Sequence, residues 1–114
     1  MASKKQEKTA SVIAEASNLS DLITYQEGSV VSRTLIDKTA GSVTLFAFDE
    51  KQALSEHTAP YDAFVYVIVG QANFTIAGKQ VKLKQDEMTI MPANKPHALV
   101  AITKFKMLLV MIKS

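Results

Sequence analysis

Short segments that alternate between apolar and polar residues, each followed by a turn, constrain this chain of 114 residues more than any other feature. Alternation with a period of two places successive side chains on opposite faces of a strand. We predict nine strands, at residues 30–37, 42–49, 55–58, 63–69, 72–76, 81–83, 88–91, 97–103 and 105–112. Many short strands separated by turns, with almost no helix, are typical of an all-β sandwich or barrel.

The first 27 residues differ from the rest of the chain. Residues 1–10 are polar and are expected to be mobile. Asn18 precedes a stretch that we predict to form at most one short helical turn, because an Asn side chain caps the first free amides of a helix. The predicted organisation is an N-terminal tail and lead-in segment over residues 1–27, followed by one β-barrel domain over residues 28–114.

The segment at residues 105–112 is apolar on both faces of its predicted strand. In a barrel of one domain, one of those faces points away from the core, so another part of the protein should cover it. The two candidates are a second subunit and the N-terminal segment. A homodimer is the expected assembly, since it is the commonest oligomer among soluble proteins.

Composition excludes several classes of function. The chain has no cysteine, which excludes disulfides and sulfur-ligated zinc and fits a reducing compartment. The net charge is +2, and the lysines show no aromatic interleaving, so we expect no nucleic-acid partner. No stretch approaches the ~20 apolar residues of a membrane helix, and the first residues lack the apolar core of a secretory signal. We therefore expect a cytoplasmic protein with no membrane partner.

Two stretches that contain the only two histidines resemble the two motifs of the cupin family. His57 and Gly70 fall on the first histidine and the closing glycine of motif one, and Pro92 and His97 fall on the proline and the last histidine of motif two. The resemblance covers residues 28–112 and is closest in type to compact bacterial single-domain cupins. It implies an RmlC-like double-stranded β-helix, a jelly-roll barrel in which both histidines face one pocket.

The chain departs from both motifs at several positions. Ala59 and Ala63 stand where the family has its second histidine and its glutamate, and neither alanine has an electron pair to donate. Lys51, Asp86 and Asn94 stand where the family has three glycines. The chain therefore keeps the spacing of both motifs but lacks half of the family's metal-binding residues.

The resemblance implies that His57 and His97 are the metal ligands that remain. Asp62 and Glu56 are candidates for additional ligands, although in a regular strand both would point away from the family's site unless a bulge turned one inward. Catalytic metal sites generally have about three protein ligands. The expected cofactor is therefore a weakly bound divalent transition metal, or none.

Five further residues complete the candidate site. Arg33 would grip a ligand carboxylate if it faced the barrel interior. Phe64 and Met88 would supply apolar contact to a ligand. Tyr61 and Tyr66 are candidate acid partners for His57 or His97, since imidazole moves protons near neutral pH.

Three functions remain open at this point. The first is a binding module that holds a small molecule in the barrel pocket around His57 and His97, with a weak or atypical metal site. The second is a cupin-type enzyme (an isomerase or epimerase, a decarboxylase or, less favoured, a dioxygenase) that uses the two histidines for acid–base chemistry or metal binding. The third is a structural or interaction protein that has lost its site, which the alanines at positions 59 and 63 favour.

Overall fold

The chain folds into two β-sheets packed around one core in the computed structural model, which describes residues 3–6 and 12–113, with side chains from residue 12 onward. These residues form ten strands and one 3₁₀ turn at Leu19–Leu22. The strands are β1 Ser3–Gln6, β2 Ser29–Lys38, β3 Gly41–Phe48, β4 Ala53–His57, β5 Tyr61–Val69, β6 Gln71–Ile76, β7 Lys79–Lys84, β8 Met88–Met91, β9 His97–Ala101 and β10 Phe105–Lys113. The predicted all-β class is confirmed.

The two sheets supply the two sides of the core. The six-stranded sheet has the order β1-β2-β3-β10-β5-β8, and the four-stranded sheet has the order β4-β9-β6-β7. Phe48, Phe74 and Phe105 are fully buried in a cluster drawn from both sheets. Phe48 and Phe105 lie opposite each other on β3 and β10 and stack with ring centroids 4.6 Å apart. Aromatic burial of this kind contributes much of the stability of a small core.

The lead-in segment covers part of the outer face of the six-stranded sheet. Ile23 is fully buried there and packs in a second cluster, whose other buried members are Val31, Leu45 and Ala47. Leu108 of β10 packs against the same cluster. Of the two candidates for covering β10, the N-terminal segment therefore accounts for the part around Leu108.

Two buried cations hold the lead-in segment on the sheet. Arg33 donates from Nη1 to the carbonyl oxygen of Leu22 at 2.6 Å. Lys106 donates from Nζ to the carbonyl oxygen of Ser20, also at 2.6 Å. Hydrogen bonds from charged donors are stronger than neutral ones, so these contacts fix the 3₁₀ turn against β2 and β10.

The N-terminal region matches the prediction in one respect and differs in another. The single helical turn is confirmed, and the Asn18 side chain accepts from the amide of Ser20 as a cap. Residues 1–10 were expected to be mobile, whereas the backbone of Ser3–Gln6 forms a strand parallel to β2; residues 1, 2 and 7–10 lie outside the described residues. A polar edge strand shows no apolar alternation, which is why the pattern did not indicate it.

Among the described residues, no helix combines the length and apolar character that crossing a membrane requires.

Candidate functional site

The two histidines meet at the same end of the four-stranded sheet. β4 ends at His57, β9 begins at His97, and the two residues are partners in the antiparallel pair. The Nε2 atoms lie 3.1 Å apart, and the ring planes make an angle of 72°. The register of this pair shifts between Leu54 and His57. Such an irregularity re-aims side chains at the end of a strand.

The hydrogen bonds of His57 determine which of its ring nitrogens carries the proton. Nδ1 of His57 lies 2.9 Å from the carbonyl oxygen of Ser55. Because a carbonyl oxygen only accepts, Nδ1 must donate, and Nε2 of neutral His57 keeps its lone pair. His97 then donates from Nε2 to Nε2 of His57 across the 3.1 Å contact. When both rings are neutral, His57 therefore carries its proton on Nδ1 and His97 carries its proton on Nε2.

The environment of His97 disfavours its charged form. Burial lowers the pKa of His97, the neighbouring His57 lowers it further, and the backbone of Lys95 raises it by a smaller amount. Nδ1 of His97 is buried and has no hydrogen-bond partner of good geometry in the described part of the chain. Protonation would place a charge on a nitrogen that water does not reach. The ring is therefore neutral at pH 7.

Acidification is expected to destabilise the protein through His97. Its folded-state pKa lies below the ordinary value of about 6.5, so the unfolded chain binds the proton more readily in that window. The stabilising contribution is fully present above about pH 6.5 and is lost as the pH falls through the folded-state pKa. Urea unfolding at a series of pH values should show a steeper loss for the wild type than for His97→Asn. Parallel pH profiles for the two proteins would contradict this assignment.

The histidines border a small apolar cavity of about 40 Å³. The other lining residues are Leu54, Met91, Ala98, Leu99, Met107 and Leu109. One water molecule takes up about 30 Å³ in the liquid, so the cavity has room for one water-sized or methyl-sized group. His57 is exposed and His97 is half-buried. A larger ligand would therefore keep most of its body outside the cavity, beside the His57 ring.

Three residues that were expected to contact a ligand lie instead on the outer face of the six-stranded sheet. Arg33 is buried beneath the lead-in segment rather than in the barrel. Phe64 lies between the buried residues Ala63 and Val65 and therefore points the opposite way. Met88 is 44% exposed. These three interpretations were wrong because each assumed an inward side chain.

The two tyrosines are not part of the histidine pair. Tyr66 donates from its hydroxyl to Oδ1 of Asp86 at 2.6 Å, and this hydrogen bond raises the pKa of Tyr66. Tyr61 lines a separate depression, where Nζ of Lys113 lies 5.2 Å from the centre of its ring. The expected acid partners are therefore not within the cavity.

The two carboxylates proposed as extra metal ligands also lie apart from the imidazoles. Asp62 accepts from the amide of Ala93 through Oδ1 at 2.9 Å, and its side chain is exposed. Glu56 is exposed as well. Within the described ranges, no group of three or more His, Asp or Glu side chains has the arrangement of a metal site. The structure brings only His57 and His97 together.

The sequence did not predict all of the residues that line the cavity. Leu54, Leu99 and Leu109 line it alongside the histidines. One available signal was the spacing of His97 and Leu99, because residues two apart on a strand share a face. No signal of that kind connects Leu54 or Leu109 to the histidines, since Leu54 lies three residues before His57 on β4 and Leu109 lies on β10.

The three positions at which the cupin motifs have glycine keep the backbone conformation that glycine favours. Lys51, Asp86 and Asn94 have φ angles of 69°, 70° and 63°. Residues other than glycine enter this left-handed region at a cost of about 1–2 kcal/mol, less for Asn and Asp. In the motif-two loop, the amide of Asn94 donates to the carbonyl oxygen of Ala59 at 2.8 Å, which ties that loop to the segment after His57.

These features define a small two-sheet barrel with a pair of histidines at the edge of an internal cavity. The chain belongs to the cupin family, since the sequence profile of the cupin domain matches residues 44–113. The family resemblance suggested by the two motifs is therefore confirmed.

Solved structures agree with this assignment. A conserved protein of unknown function from Streptococcus pyogenes is 33% identical, with 89% of each chain covered and a TM-score of 0.85. A cupin 2 conserved barrel domain protein from Leptotrichia buccalis is 39% identical, with a TM-score of 0.80; the match covers 84% of this chain and 47% of that one. A cupin superfamily protein from Desulfitobacterium hafniense is 27% identical, with a TM-score of 0.81 and coverage of 84% and 88%. No curated protein matches the chain.

Proposed function

We propose that this cupin binds a small molecule at His57 and His97, with an optional and weakly held divalent metal. The observation that carries the proposal is the 3.1 Å contact between the two Nε2 atoms at the border of an apolar cavity. Ligand sites commonly combine an apolar lining with a few convergent polar groups. Here the two imidazoles are the polar groups, and every other lining residue is apolar.

The size of the cavity limits the ligand class. About 40 Å³ is far below the roughly 300 Å³ of a pocket that encloses a drug-sized molecule. The ligand we propose therefore inserts one short apolar group and leaves its polar part at the imidazoles. A carboxylate or carbonyl oxygen suits that position, because it would accept from Nε2 of His97 in place of Nε2 of His57. Short-chain carboxylates are the simplest compounds with both features.

The histidine pair fits two of the ligands of a divalent metal. Two nitrogens bonded to a tetrahedral zinc at 2.0–2.1 Å are about 3.3 Å apart, close to the separation of the two Nε2 atoms. Binding would require His97 to move its proton from Nε2 to Nδ1 and to give up the contact with His57. With no third protein donor among the described residues, this supports weak binding. A bound metal would supply a positive charge for the oxygen atoms of a ligand.

The alternative of an enzyme has less support. Tyr66 is engaged with Asp86, and Tyr61 lies in another depression, so neither accompanies His97 as an acid. The third alternative, a site-degenerate protein, is disfavoured by the direct contact between the two imidazoles, which a lost site would not need to keep. The cytoplasm remains the proposed location, since a chain without cysteine fits a reducing compartment.

The test is a titration of the imidazole nitrogens. We expect butyrate, and separately Zn²⁺, to shift the ¹⁵N resonances of both histidines in NMR spectra. His57→Ala and His97→Ala should each weaken binding of either probe at least tenfold, equivalent to about 1.4 kcal/mol, because each removes one of only two polar groups.

Tyr66→Phe is the matched control, because it alters a polar side chain outside the cavity and should leave both titrations unchanged. Retention of butyrate and Zn²⁺ binding by a folded double variant, His57→Ala with His97→Ala, would reject the site. If butyrate bound and Zn²⁺ did not, the small-molecule part of the proposal would stand and the metal part would be rejected. Failure of both probes to shift either histidine in the wild type would contradict the proposal.

A further inference from the structure

Two buried methionines line the cavity beside the histidine pair. Met91 is the last residue of β8 and is 5% exposed, and Met107 lies near the start of β10 and is 1% exposed. The remaining lining residues are alanine and leucine. Among the described residues around the cavity, the side-chain atoms with lone pairs are therefore the imidazole nitrogens and the two thioether sulfurs.

Met91 stands beside the position at which the family's carboxylate is missing. Strand pairing aligns Met91 on β8 with Ala63 on β5, and Ala63 occupies the place of the glutamate in motif one. Both residues belong to the main core cluster, and Ala63 is 4% exposed. Side chains of paired residues on one face of a sheet are direct neighbours. A soft, neutral sulfur therefore lies next to the position where the family has a hard, charged oxygen.

The type of donor determines which metal these atoms suit. Thioether ligands select soft ions such as Cu(I), and imidazole binds copper as well as zinc. The usual protein ligands of Zn²⁺ are thiolate, imidazole and carboxylate, so for Zn²⁺ the sulfurs do not supply a third donor. The chain has no cysteine, and no thiolate elsewhere in the sequence competes for a soft ion.

The charge of the ion favours the same choice. Imidazole and thioether are neutral ligands, and no described carboxylate lines the cavity. An ion bound there would keep its full charge in apolar surroundings. Because the Born cost of burying an ion rises with the square of its charge, that cost is about four times as large for Zn²⁺ as for Cu(I).

The outer nitrogens of both imidazoles can donate to backbone carbonyl groups when the Nε2 atoms bind a metal. Nδ1 of His57 already lies 2.9 Å from the carbonyl oxygen of Ser55. Nδ1 of His97 is buried without a partner of good geometry in the described chain. Metal binding at Nε2 moves the His97 proton to Nδ1, and the backbone of Lys95, which raises the pKa of His97, would accept it. Metal-bound histidines almost always donate their other N–H in this way.

We infer that His57, His97, Met91 and Met107 form a binding site for Cu(I). The inference rests on the proposed function, since it names the metal that the same histidine pair binds best. A single ion fits the cavity of about 40 Å³, which has room for one water-sized group. Cu(I) binds more tightly than Zn²⁺ because only Cu(I) uses the sulfurs together with the nitrogens.

The first test compares the affinities of the two metals. Cu(I) binding is measured without oxygen by competition with the chromogenic chelator bicinchoninate, and Zn²⁺ binding by the NMR titration of the histidines. We expect the wild type to bind one Cu(I) at least tenfold more tightly than Zn²⁺, a difference of about 1.4 kcal/mol.

Replacement of each sulfur separates the two metals further. Met91→Leu and Met107→Leu should each weaken Cu(I) binding at least tenfold and leave the Zn²⁺ and butyrate titrations unchanged. The reason is that leucine keeps the volume and the apolar character of methionine but has no sulfur. The same conservation of volume should keep both variants folded, which circular dichroism checks.

Met88→Leu is the matched control. Met88 lies on the same strand as Met91 but is 44% exposed on the outer face. Its variant loses a thioether that does not line the cavity, so it should bind Cu(I) like the wild type.

The second test identifies the ligand atoms directly. Ag(I), a soft ion of the same charge that is not oxidised by air, is titrated into protein with ¹³C-labelled methionine methyl groups. We expect the methyl resonances of Met91 and Met107 and the ¹⁵N resonances of both histidines to shift together and to saturate at one equivalent. The methyl resonance of Met88 should stay unchanged.

Three outcomes would overturn the inference. These are Zn²⁺ binding as tight as Cu(I) binding, Cu(I) binding by Met91→Leu and Met107→Leu as tight as by Met88→Leu, and Ag(I) that shifts other methionines in place of Met91 and Met107. In each case, intact butyrate and Zn²⁺ titrations would leave the proposed function standing. Conversely, Cu(I) binding that depends on the sulfurs, without any response to butyrate or Zn²⁺, would reject the proposed function and retain the copper site.

Discussion

Gly70→Ala is expected to lower the free energy of unfolding by about 3 kcal/mol or more. Gly70 has a φ of 87°, in the left-handed region, and a Cβ there would overlap the carbonyl oxygen of Lys104 and lie 2.6 Å from Cβ of Phe105. The obstruction is largely backbone, so a side-chain rotation cannot relieve it. It would also displace Phe105, which is fully buried in the core. Urea unfolding followed by circular dichroism measures the loss.

Gly78→Ala separates the two contributions to this loss. Gly78 has a similar φ of 82°, but a Cβ added there meets no atom within 4 Å. We expect a loss of only about 1 kcal/mol, the cost of placing alanine in the left-handed region. Equal losses for the two variants would mean that the close approach of Lys104 and Phe105 contributes nothing, contrary to the structure.

Met107→Ala is expected to lower the free energy of unfolding by about 2–4 kcal/mol. Met107 is 1% exposed, belongs to the main core cluster and lines the cavity beside the histidines. Truncation removes apolar contacts and leaves a void, since surrounding side chains collapse only in part. The same void enlarges the cavity. The variant should therefore admit a longer carboxylate than the wild type, which hexanoate in place of butyrate tests by NMR titration.

Met88→Ala is the matched control for this change. Met88 is 44% exposed on the outer face of β8, so its truncation should alter the stability of the monomer by about 0.5 kcal/mol or less. It should leave the butyrate titration as in the wild type. A loss as large as that of Met107→Ala would place Met88 in the core and contradict the assignment of the faces.

Much of the fold was predictable from local pattern. The apolar segments at 63–69, 72–76 and 88–91 became β5, β6 and β8 with nearly the predicted bounds. The helical turn after Asn18 formed where the capping residue indicated it. These elements depend on interactions between residues close in sequence, namely backbone pairing across tight turns and a side-chain cap.

The two histidines at the centre of the candidate site were predictable from the sequence, whereas the residues around them were not. His57 and His97 were selected because they fell on two motif positions, and the structure brings their rings together. Phe64, Met88 and Arg33 were placed in the pocket although they lie outside it. The strand that contains Phe64 is apolar on both faces, and a period of two tells which residues share a face without telling which face is inward.

The sequence by itself determined where the strands and turns lie, that the chain has the spacing of the two cupin motifs, and that only two of the family's histidine ligands remain. Tertiary structure alone decided which face of the six-stranded sheet is internal, that Arg33 holds the lead-in segment, and that Met107 lines the cavity while Met88 does not. The physical reason is that the internal face of a strand is set by the elements that pack against it, and these elements are distant in the sequence. The four-stranded sheet covers one face, and Ile23 with its neighbours covers part of the other.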